Sequence, residues 1–325
     1  MSDHDHHDHG HAGHGDHQHG GHSHGHGGHQ HAPASFGRAF AIGTALNAAF
    51  VAVQVFYGLA AHSVALLADA VHNLGDVLGL LVAWGAATLA RRAPTLARTY
   101  GWGRSTILAS LTNAVVLLLG CGGIAFEAIR RFGDPAPVGG ATVMWVAALG
   151  IIINGATALL FMRGRKGDLN VKGAFLHMAS DAVVSAGVVV SGLLIILTGW
   201  HWLDPATSLA IVAVITVGTW GLLRDSANLA MDAVPEGVDV SAIEVALRTL
   251  PGVVEVHDLH VWGLSTTETA LTAHLVVADL ASGPAVLLRA ACDLVRGRFG
   301  IGHATFQVET GGMAEVCELR SAAVI

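Results

Sequence analysis

Charged residues are scarce in this sequence. Only 13% of its 325 residues are Asp, Glu, Lys or Arg, whereas 52% are hydrophobic. A soluble domain usually carries about 25% charged residues, so the deficit indicates a chain whose main solvent is lipid. The formal net charge is −7. There is therefore no basic footprint for nucleic acid, and we expect none as a partner.

Cysteine is equally rare and carries no motif. Cys121, Cys292 and Cys317 form no CxxC pair, which excludes a zinc ribbon and a CxxC redox site. The sequence also lacks HExxH, the metal-binding motif of many metalloproteases. Glu127 is the only glutamate within a predicted span, and no histidine lies near it. These absences argue against an intramembrane metalloenzyme, one of the alternative hypotheses.

Residues 1–34 are almost entirely polar. They hold 13 of the 21 histidines, at irregular spacing among Asp, Gly and Gln. Such a segment cannot bury apolar area, so we predict a disordered tail. Neutral imidazole is a common metal ligand, and the irregular spacing argues against a purification tag. We interpret the tail as a loose, unselective cytoplasmic chelator of metal; an inert polar tail is the alternative.

Six apolar stretches follow the tail, each of about the length that crosses a bilayer as a helix. They predict an all-α transmembrane domain over residues 35–232. Short turns between them make neighbouring helices antiparallel and adjacent. The predicted spans are 38–61, 63–90, 106–129, 140–162, 173–198 and 204–223.

The basic residues that flank these spans predict the orientation. Ten of them lie before the first span, after the last, or in the second and fourth connections. Only Arg130 and Arg131, in the third connection, dissent. By the positive-inside rule both termini are cytoplasmic, and the expected location is the cytoplasmic membrane.

From residue 233 onward the composition becomes that of a soluble domain. Residues 238–250 predict an amphipathic helix capped by Asp239 or Ser241. Residues 253–263 and 269–277 alternate like strands, a helix begins at Pro284, and residues 304–310 predict a third strand. The predicted order, αββαβ over 233–325, favours a small α+β sandwich.

Two of the predicted spans carry the same ionisable motif, HxxxD. It reads His72 to Asp76 in the second span and His177 to Asp181 in the fifth. A spacing of four places both side chains on one helix face. Facing each other, the two helices offer two imidazoles and two carboxylates, the number and type of ligand that zinc prefers. The alternatives are hydrogen-bonded His–Asp pairs that only pack the helices, or a pure proton relay.

Asp69 lies three residues before His72. It is either an acceptor for the His72 ring N–H or a helix-end residue near the membrane interface, and the sequence favours neither.

The charge of the four-residue site suggests a mechanism. With neutral imidazoles the empty site carries a charge of −2, and either one Zn²⁺ or two protons neutralise it. A site of low dielectric disfavours net charge, so metal and protons should exclude each other. Exchange of metal for protons follows as a hypothesis.

Several motifs resemble the cation diffusion facilitator family. They are the paired HxxxD motifs, SVALLADAVHNLGD, NVKGAFLHMASD and HDLHVW. The resemblance covers residues 36–311 and is nearest to the bacterial zinc, cobalt and cadmium resistance branch. It implies a homodimer of six-span protomers in membrane lipid that exports zinc, and cadmium or cobalt, by rocking between inward- and outward-facing states. It also implies His72, Asp76, His177 and Asp181 as transport ligands.

The resemblance extends to the soluble part, which is similar to a metallochaperone-like, metal-sensing domain in which zinc acts as a regulator. It implies His257, His274 and Glu309 as ligands there, with ordinary surface residues as the alternative. Gln307 stands where some members have a histidine. Asp258 is either a ligand or an edge-strand charge.

Four further positions or segments bear on the resemblance. His260 and His303 are weaker ligand candidates. Residues 98–102 lack the Asp and His ligands that some members carry, so we predict no second metal site there. Thr106 replaces a common glutamate.

The resemblance also implies a charge pair at the cytoplasmic membrane edge. Arg104 and Asp232 occupy the positions of a basic and an acidic residue that pair in resembling proteins. Such a pair would couple the soluble domains of the dimer to the transport helices. The alternative is that Arg104 is a positive-inside residue and Asp232 a loop charge.

Two further function classes compete with a transporter. A passive channel would need no proton-titrating site. A metal-sensing receptor should carry an output domain, and no part of the sequence remains unassigned for one.

Overall fold

The computed structural model describes the backbone of residues 38–162, 169–278 and 283–314. It describes side chains over 44–159, 178–278 and 283–312. The histidine-rich tail, residues 1–34, lies outside the described residues, and so does the side chain of His177.

Long helices make up the N-terminal part. Five are long and apolar enough to cross a membrane, and α1 adds a shorter apolar stretch, Thr44–Ala60. The prediction of a helical membrane domain is confirmed at this level, and a sixth span stays a prediction. The helices are α1 Arg38–Ala60, α2 Val64–Ala90, α3 Ser105–Gly133, α4 Gly140–Met162, α5 Leu169–Thr198 and α6 Leu203–Ala230.

Two helices extend well beyond their predicted spans. The sequence placed the ends of the third and sixth spans at 129 and 223, whereas α3 ends at Gly133 and α6 at Ala230. The helices therefore continue past the stretches that were predicted to lie in lipid. A helix of 28 residues is about 42 Å long, more than the ~30 Å hydrocarbon core. Hydropathy marks the lipid-facing stretch, and the helix continues beyond it.

Glycines bring α4 and α5 into backbone contact. A Cβ atom on Gly140 would lie 2.9 Å from the Gly192 carbonyl oxygen, and one on Gly192 would lie 3.0 Å from that of Gly140. Small residues of this kind allow close helix approach in membranes. A Cβ on Gly150 of α4 would likewise lie 3.1 Å from the Ser185 hydroxyl of α5, so the two helices are antiparallel in this register.

Arg130 and Arg131, the two arginines that do not follow the positive-inside rule in the predicted orientation, form ion pairs with Glu127. Arg131 Nε lies 2.8 Å and Arg130 Nε 3.2 Å from the carboxylate of Glu127. Arg131 also donates to the backbone carbonyl of His62. The carboxylate of Glu127 therefore balances part of the positive charge at the end of α3.

A buried carboxylate joins the beginnings of α2 and α6. Asp204, fully buried in the first turn of α6, accepts a hydrogen bond from Val64 N at 2.6 Å and another from the Ser63 hydroxyl. Ser63 is the N-cap of α2 and accepts from Leu66 N at 3.1 Å. The first N–H groups of α2, which lack helical partners, are thereby satisfied by a neighbouring helix.

The C-terminal part is a three-stranded sheet with helices. Its strand order is β1–β2–β3, with β1 antiparallel and β3 parallel to the central strand. The coarse prediction of an α+β domain with a small sheet is confirmed. The elements are α7 Val240–Arg248, β1 Val253–Gly263, β2 Thr269–Val277, α8 Pro284–Phe299, β3 His303–Thr310 and α9 Gly311–Ala314.

Local chemistry sets these elements. Asp239 caps α7 by accepting from Ala242 N at 3.0 Å, as one of the two predicted caps would. Buried Ile243 and Leu247 of α7 share one apolar cluster with Leu275 of β2. These apolar contacts cover one face of the sheet. The polar side chains of the sheet lie outside this apolar cluster.

Candidate metal centres

The motif of α2 places three polar side chains inside the helical bundle. Asp69 is fully buried, whereas His72 and Asp76 keep 17% and 16% of their side-chain surface exposed. His72 and Asp76 lie one turn apart, and His72 Nε2 is 3.9 Å from Asp76 Oδ2. The i, i+4 spacing therefore brings the imidazole and the carboxylate together, as the sequence predicts.

Asp181 joins this pair from α5. Its side chain is 1% exposed, and its Oδ1 atom lies 3.1 Å from His72 Nε2. Ligand atoms of His72, Asp76 and Asp181 all lie within 4.8 Å of one another. One imidazole and two carboxylates that converge in this way can hold a divalent cation. His177 lies on α5 one turn before Asp181, and its side chain is outside the described part of the chain.

Asp69 belongs to a separate hydrogen-bond network. Its Oδ2 atom accepts from Gln54 Nε2 of α1 at 2.6 Å and from the Ser185 hydroxyl of α5 at 3.3 Å. Asn73 Nδ2 donates to Gln54 Oε1 at 2.9 Å. Asp69, in the second turn of α2, thereby ties α1 and α5 to α2, about one turn before His72.

A second group of candidate metal ligands lies on the sheet. His257 of β1 pairs with His274 of β2, and Glu309 lies on β3 opposite Val276. Glu309 is 1% exposed; its Oε1 lies 2.9 Å from His274 Nδ1 and its Oε2 lies 3.5 Å from His257 Nε2. Ligand atoms of the three residues are within 4.8 Å of one another. These are the three residues that the family resemblance implied.

Other polar residues surround this cluster. Asp258 lies at a bulge of β1 with φ +50°, and its Oδ2 is 3.4 Å from His274 Nε2. Its other oxygen is 2.8 Å from His260 Nε2. Gln307 donates to Glu309 at 2.7 Å. Asp258 is thus in contact with the cluster rather than at a free edge, because the bulge turns its side chain inward.

His303 lies apart from the cluster. It is exposed, and its ring packs edge-on against Tyr100 at 5.4 Å between centroids.

The predicted charge pair is formed where the two parts of the chain meet. Arg104 Nη2 contacts Asp232 Oδ1, and each side chain remains 52% exposed. Nearby, the Thr106 hydroxyl accepts a hydrogen bond from Thr266 N at 3.1 Å. Thr106, for which the sequence suggested no role, therefore connects the start of α3 to the turn between β1 and β2.

Several buried polar residues were not singled out by sequence analysis. Gln54 and Ser185 are fully buried partners of Asp69. Asn47 and Asn154 are buried amides on α1 and α4. A single polar residue in an apolar span is visible in the sequence, but its partner on another helix is not. Asp204 was likewise hidden, since it reads as an ordinary residue of a helix start.

Family comparisons match both parts of the chain. A model described as the cation efflux transmembrane domain matches residues 40–229. A second, described as the cytoplasmic domain of cation efflux proteins, matches residues 235–311. Together they include both candidate metal centres.

Individual relatives are similar over most of their length. The metal cation efflux system protein CzcD of Cupriavidus metallidurans is 36% identical over 278 residues, covering 85% of this chain and 88% of its own. A cadmium, cobalt and zinc/H(+)-K(+) antiporter of Bacillus subtilis is 34% identical over 266 residues, 80% of this chain and 85% of its own. The zinc transporter ZitB of Escherichia coli is 36% identical over 266 residues, with 81% and 84% covered.

Proposed function

Since the chain belongs to the cation efflux family of metal transporters, we propose that it exports zinc from the cytoplasm in exchange for protons. It is a transporter and not an enzyme. Neither alternative, a metal-sensing receptor or an intramembrane metalloenzyme, is supported by the similar proteins. Cadmium and cobalt, which the printed name of the Bacillus subtilis relative includes, are further plausible substrates.

The transport site in this proposal consists of His72, Asp76, His177 and Asp181. The observation that carries it is the convergence of His72, Asp76 and Asp181 from two helices within 4.8 Å. His177 completes the set by its spacing on α5. Two nitrogen and two carboxylate oxygen ligands are a tetrahedral zinc set. Neutral imidazoles favour zinc over ions that prefer oxygen alone.

Coupling to protons follows from the charge of this site. Asp181 is almost fully buried, and a buried carboxylate without a neutralising partner is costly. Metal and protons neutralise the site equally well but compete for the same lone pairs. An empty, deprotonated site is therefore disfavoured during the return step, which links metal efflux to proton entry.

The proposed topology has six spans, with α1 as the first. α1 contributes Gln54 to the buried network around Asp69, so it packs as a member of the bundle. With the basic residues of the sequence on the cytoplasmic side, both termini are cytoplasmic. Residues 1–34 then form the metal-chelating tail, 35–232 the transport domain and 233–325 the soluble domain.

Regulation by zinc is proposed for the soluble domain. His257, His274 and Glu309 bind the ion, and the buried carboxylate of Glu309 balances part of its charge. The family's dimeric arrangement implies that this domain contacts a second copy of the chain. The Arg104–Asp232 pair lies between the domain and the membrane helices, where it would transmit the closure of the soluble domains.

Metal uptake into proteoliposomes tests the proposed function. Vesicles with an acidic lumen should accumulate zinc, because protons leaving the lumen drive metal entry. Cadmium, cobalt and manganese measured in parallel define the substrate range. Uptake that is unchanged when an ionophore dissipates the pH gradient would contradict proton coupling, and the absence of uptake of all four metals would contradict transport.

A further inference from the structure

Two buried amides of the membrane domain have no assigned role. Asn154 of α4 is 1% exposed and Asn47 of α1 is 8% exposed. Within the described part of the chain, neither Oδ1 nor Nδ2 of Asn154 has a hydrogen-bond partner, and Asn47 Oδ1 has none either. Leaving such groups unpaired in a protein interior is destabilising. Amides that contacted only apolar groups at these positions would therefore destabilise the fold.

Packing of α1 against α2 sets the depth of Asn47. Gln54 of α1 is hydrogen-bonded to Asp69 of α2. Asn47 lies seven residues before Gln54, and Asp76 lies seven residues after Asp69. Seven residues are close to two helical turns. In antiparallel helices, seven residues backward along α1 and seven residues forward along α2 lead in the same direction. Asn47 and Asp76 therefore lie at the same depth, on the sides of α1 and α2 that face each other.

The α4–α5 pair gives the same result for Asn154. A Cβ on Gly150 would lie 3.1 Å from the Ser185 hydroxyl. Asn154 is one turn beyond Gly150, and Asp181 is one turn before Ser185. Because the two helices are antiparallel, Asn154 and Asp181 are opposite each other.

A contact between α1 and α4 links the α1–α2 pair to the α4–α5 pair, so that α1, α2, α4 and α5 form a ring of four helices. The Phe50 ring lies 2.8 Å from the position of a Cβ on Gly150. Asn47 is three residues before Phe50, and Asn154 is four residues after Gly150. Both amides are therefore displaced from this contact in the same direction and by about one turn.

We propose that Asn47 and Asn154 are further ion-facing residues of the transport site and determine its selectivity among divalent metals. Their amide oxygens bind ions that take more than four ligands. This inference depends on the proposed transport site, which supplies Asp76 and Asp181 at the same depth.

The chemistry of the extra ligands favours amides. The carboxylates of Asp76 and Asp181 already neutralise a divalent ion, so any further ligand should be uncharged. An amide oxygen is neutral and suits ions with octahedral preference. Zinc is satisfied by four ligands, whereas Co²⁺ adopts four- and six-coordinate geometries. Removal of an amide should therefore harm cobalt transport more than zinc transport.

Transport by Asn154→Leu and Asn47→Leu tests this. Leucine keeps the number and branching of the side-chain heavy atoms and removes the oxygen. We expect the ratio of kcat/KM for cobalt to that for zinc to fall by about tenfold in each variant. The control is Asn113→Leu, which removes a half-buried amide of α3, outside the ring of α1, α2, α4 and α5; its ratio should match the wild type.

Asn154→Asp supplies the opposite change. It keeps the shape and gives a harder, charged oxygen, so the cobalt-to-zinc ratio should rise. A merely structural role would not produce opposite shifts in the Leu and Asp variants. If Asn154→Leu does not fold, Asn154→Asp decides: an unchanged or lower ratio would overturn the proposal.

Cobalt absorption gives a second, non-kinetic measurement. Tetrahedral Co²⁺ absorbs visible light far more strongly than six-coordinate Co²⁺. After subtraction of the spectrum of Asp181→Ala, which removes the contribution of other sites, the band of Asn154→Leu should be several-fold stronger than that of the wild type.

Two results would overturn the proposal. They are a spectrum identical to that of the wild type, or an unchanged cobalt-to-zinc ratio in folded protein, whether or not both rates fall. Failure of the transport site itself is separate, because it would appear as wild-type transport by Asp181→Ala.

Discussion

His72 is the residue through which α2 and α5 meet in the proposed site. Its Nε2 atom lies 3.1 Å from Asp181 and 3.9 Å from Asp76. Imidazole nitrogen is a borderline ligand that suits zinc, whereas manganese favours oxygen. The metal preference of the transporter should therefore depend on this one side chain.

We predict that His72→Asp shifts selectivity away from zinc. The change replaces nitrogen by a hard oxygen and makes the empty site more negative, from a charge of −2 to −3. The ratio of kcat/KM for zinc to that for manganese should fall by about tenfold, as measured by uptake into proteoliposomes. His62→Asp, the same change in the exposed turn before α2, is the control. An unchanged ratio would show that selectivity is set elsewhere.

Sequence reasoning identified the residues of the proposed site but not their surroundings. The repeated HxxxD spacing is a property of single helices, so His72, Asp76 and Asp181 were found without knowledge of the fold. The partners of Asp69 are Gln54 on α1 and Ser185 on α5. Contacts between helices depend on packing angle and register, which spacing within one helix does not contain.

Within the soluble domain, alternation predicted the strands, but the bulge at Asp258 was invisible. A positive φ of +50° at this aspartate depends on the pairing of β1 with β2. Sequence alone therefore left open whether the residue was a ligand or an edge charge. The pairing register of β1 and β2 places it in contact with His274.

At the scale of elements, the beginning of α2 depends on a side chain of α6. The Asp204 carboxylate accepts hydrogen bonds from Val64 N at 2.6 Å and Ala65 N at 3.4 Å. These are N–H groups that α2 itself cannot satisfy. A negative charge at this position also interacts favourably with the helix dipole.

We predict that Asp204→Ala destabilises the membrane domain. It leaves buried donors of α2 unpaired and should cost about 2–3 kcal/mol of unfolding free energy. The thermal unfolding midpoint of the purified protein in detergent measures this loss. Asp134→Ala, an exposed aspartate at the end of α3, should leave the midpoint nearly unchanged. Equal midpoints for the two variants would show that the Asp204 contacts contribute little.

Helix existence and most helix bounds were predictable at this scale, whereas the ends of α3 and α6 were not. Apolar composition fixed where helices occur because lipid requires internally bonded backbone. It did not reveal that α3 and α6 continue to Gly133 and Ala230, because polar residues outside the lipid are also compatible with helix.

For the molecule as a whole, the question is how the soluble domain communicates with the transport helices. Arg104 and Asp232 form a pair at this junction, and each is 52% exposed. Solvent screening limits such a pair to about 1 kcal/mol. Its contribution should therefore appear in transport rather than in stability.

A charge-swap cycle tests the pair. Arg104→Asp and Asp232→Arg should each impair zinc transport, and the double variant should recover part of it, with a coupling energy of about 0.5–1 kcal/mol. The control exchanges Arg224 and Asp225, an exposed pair of neighbours in α6, and should show little coupling. Losses that simply add would mean that the Arg104–Asp232 contact has no role in coupling.

The histidine-rich tail is predicted to act only on metal supply. Deletion of residues 2–31 should raise the apparent KM for zinc and leave the maximal rate largely intact, because the tail concentrates metal but does not line the pathway. Initial rates over a range of free zinc concentrations measure both constants. Loss of transport at saturating zinc would contradict the chelating role.

Proton movement recorded together with zinc uptake tests the central claim most directly. A pH dye in the lumen of acidic proteoliposomes should report alkalinisation when zinc is added outside, as protons leave in exchange for metal. Asp181→Ala removes a ligand and a charge that only metal or protons balance, so it should abolish both signals while the protein stays folded. Zinc uptake without a proton signal in the wild type, or wild-type flux in Asp181→Ala, would contradict proton-coupled efflux at this site.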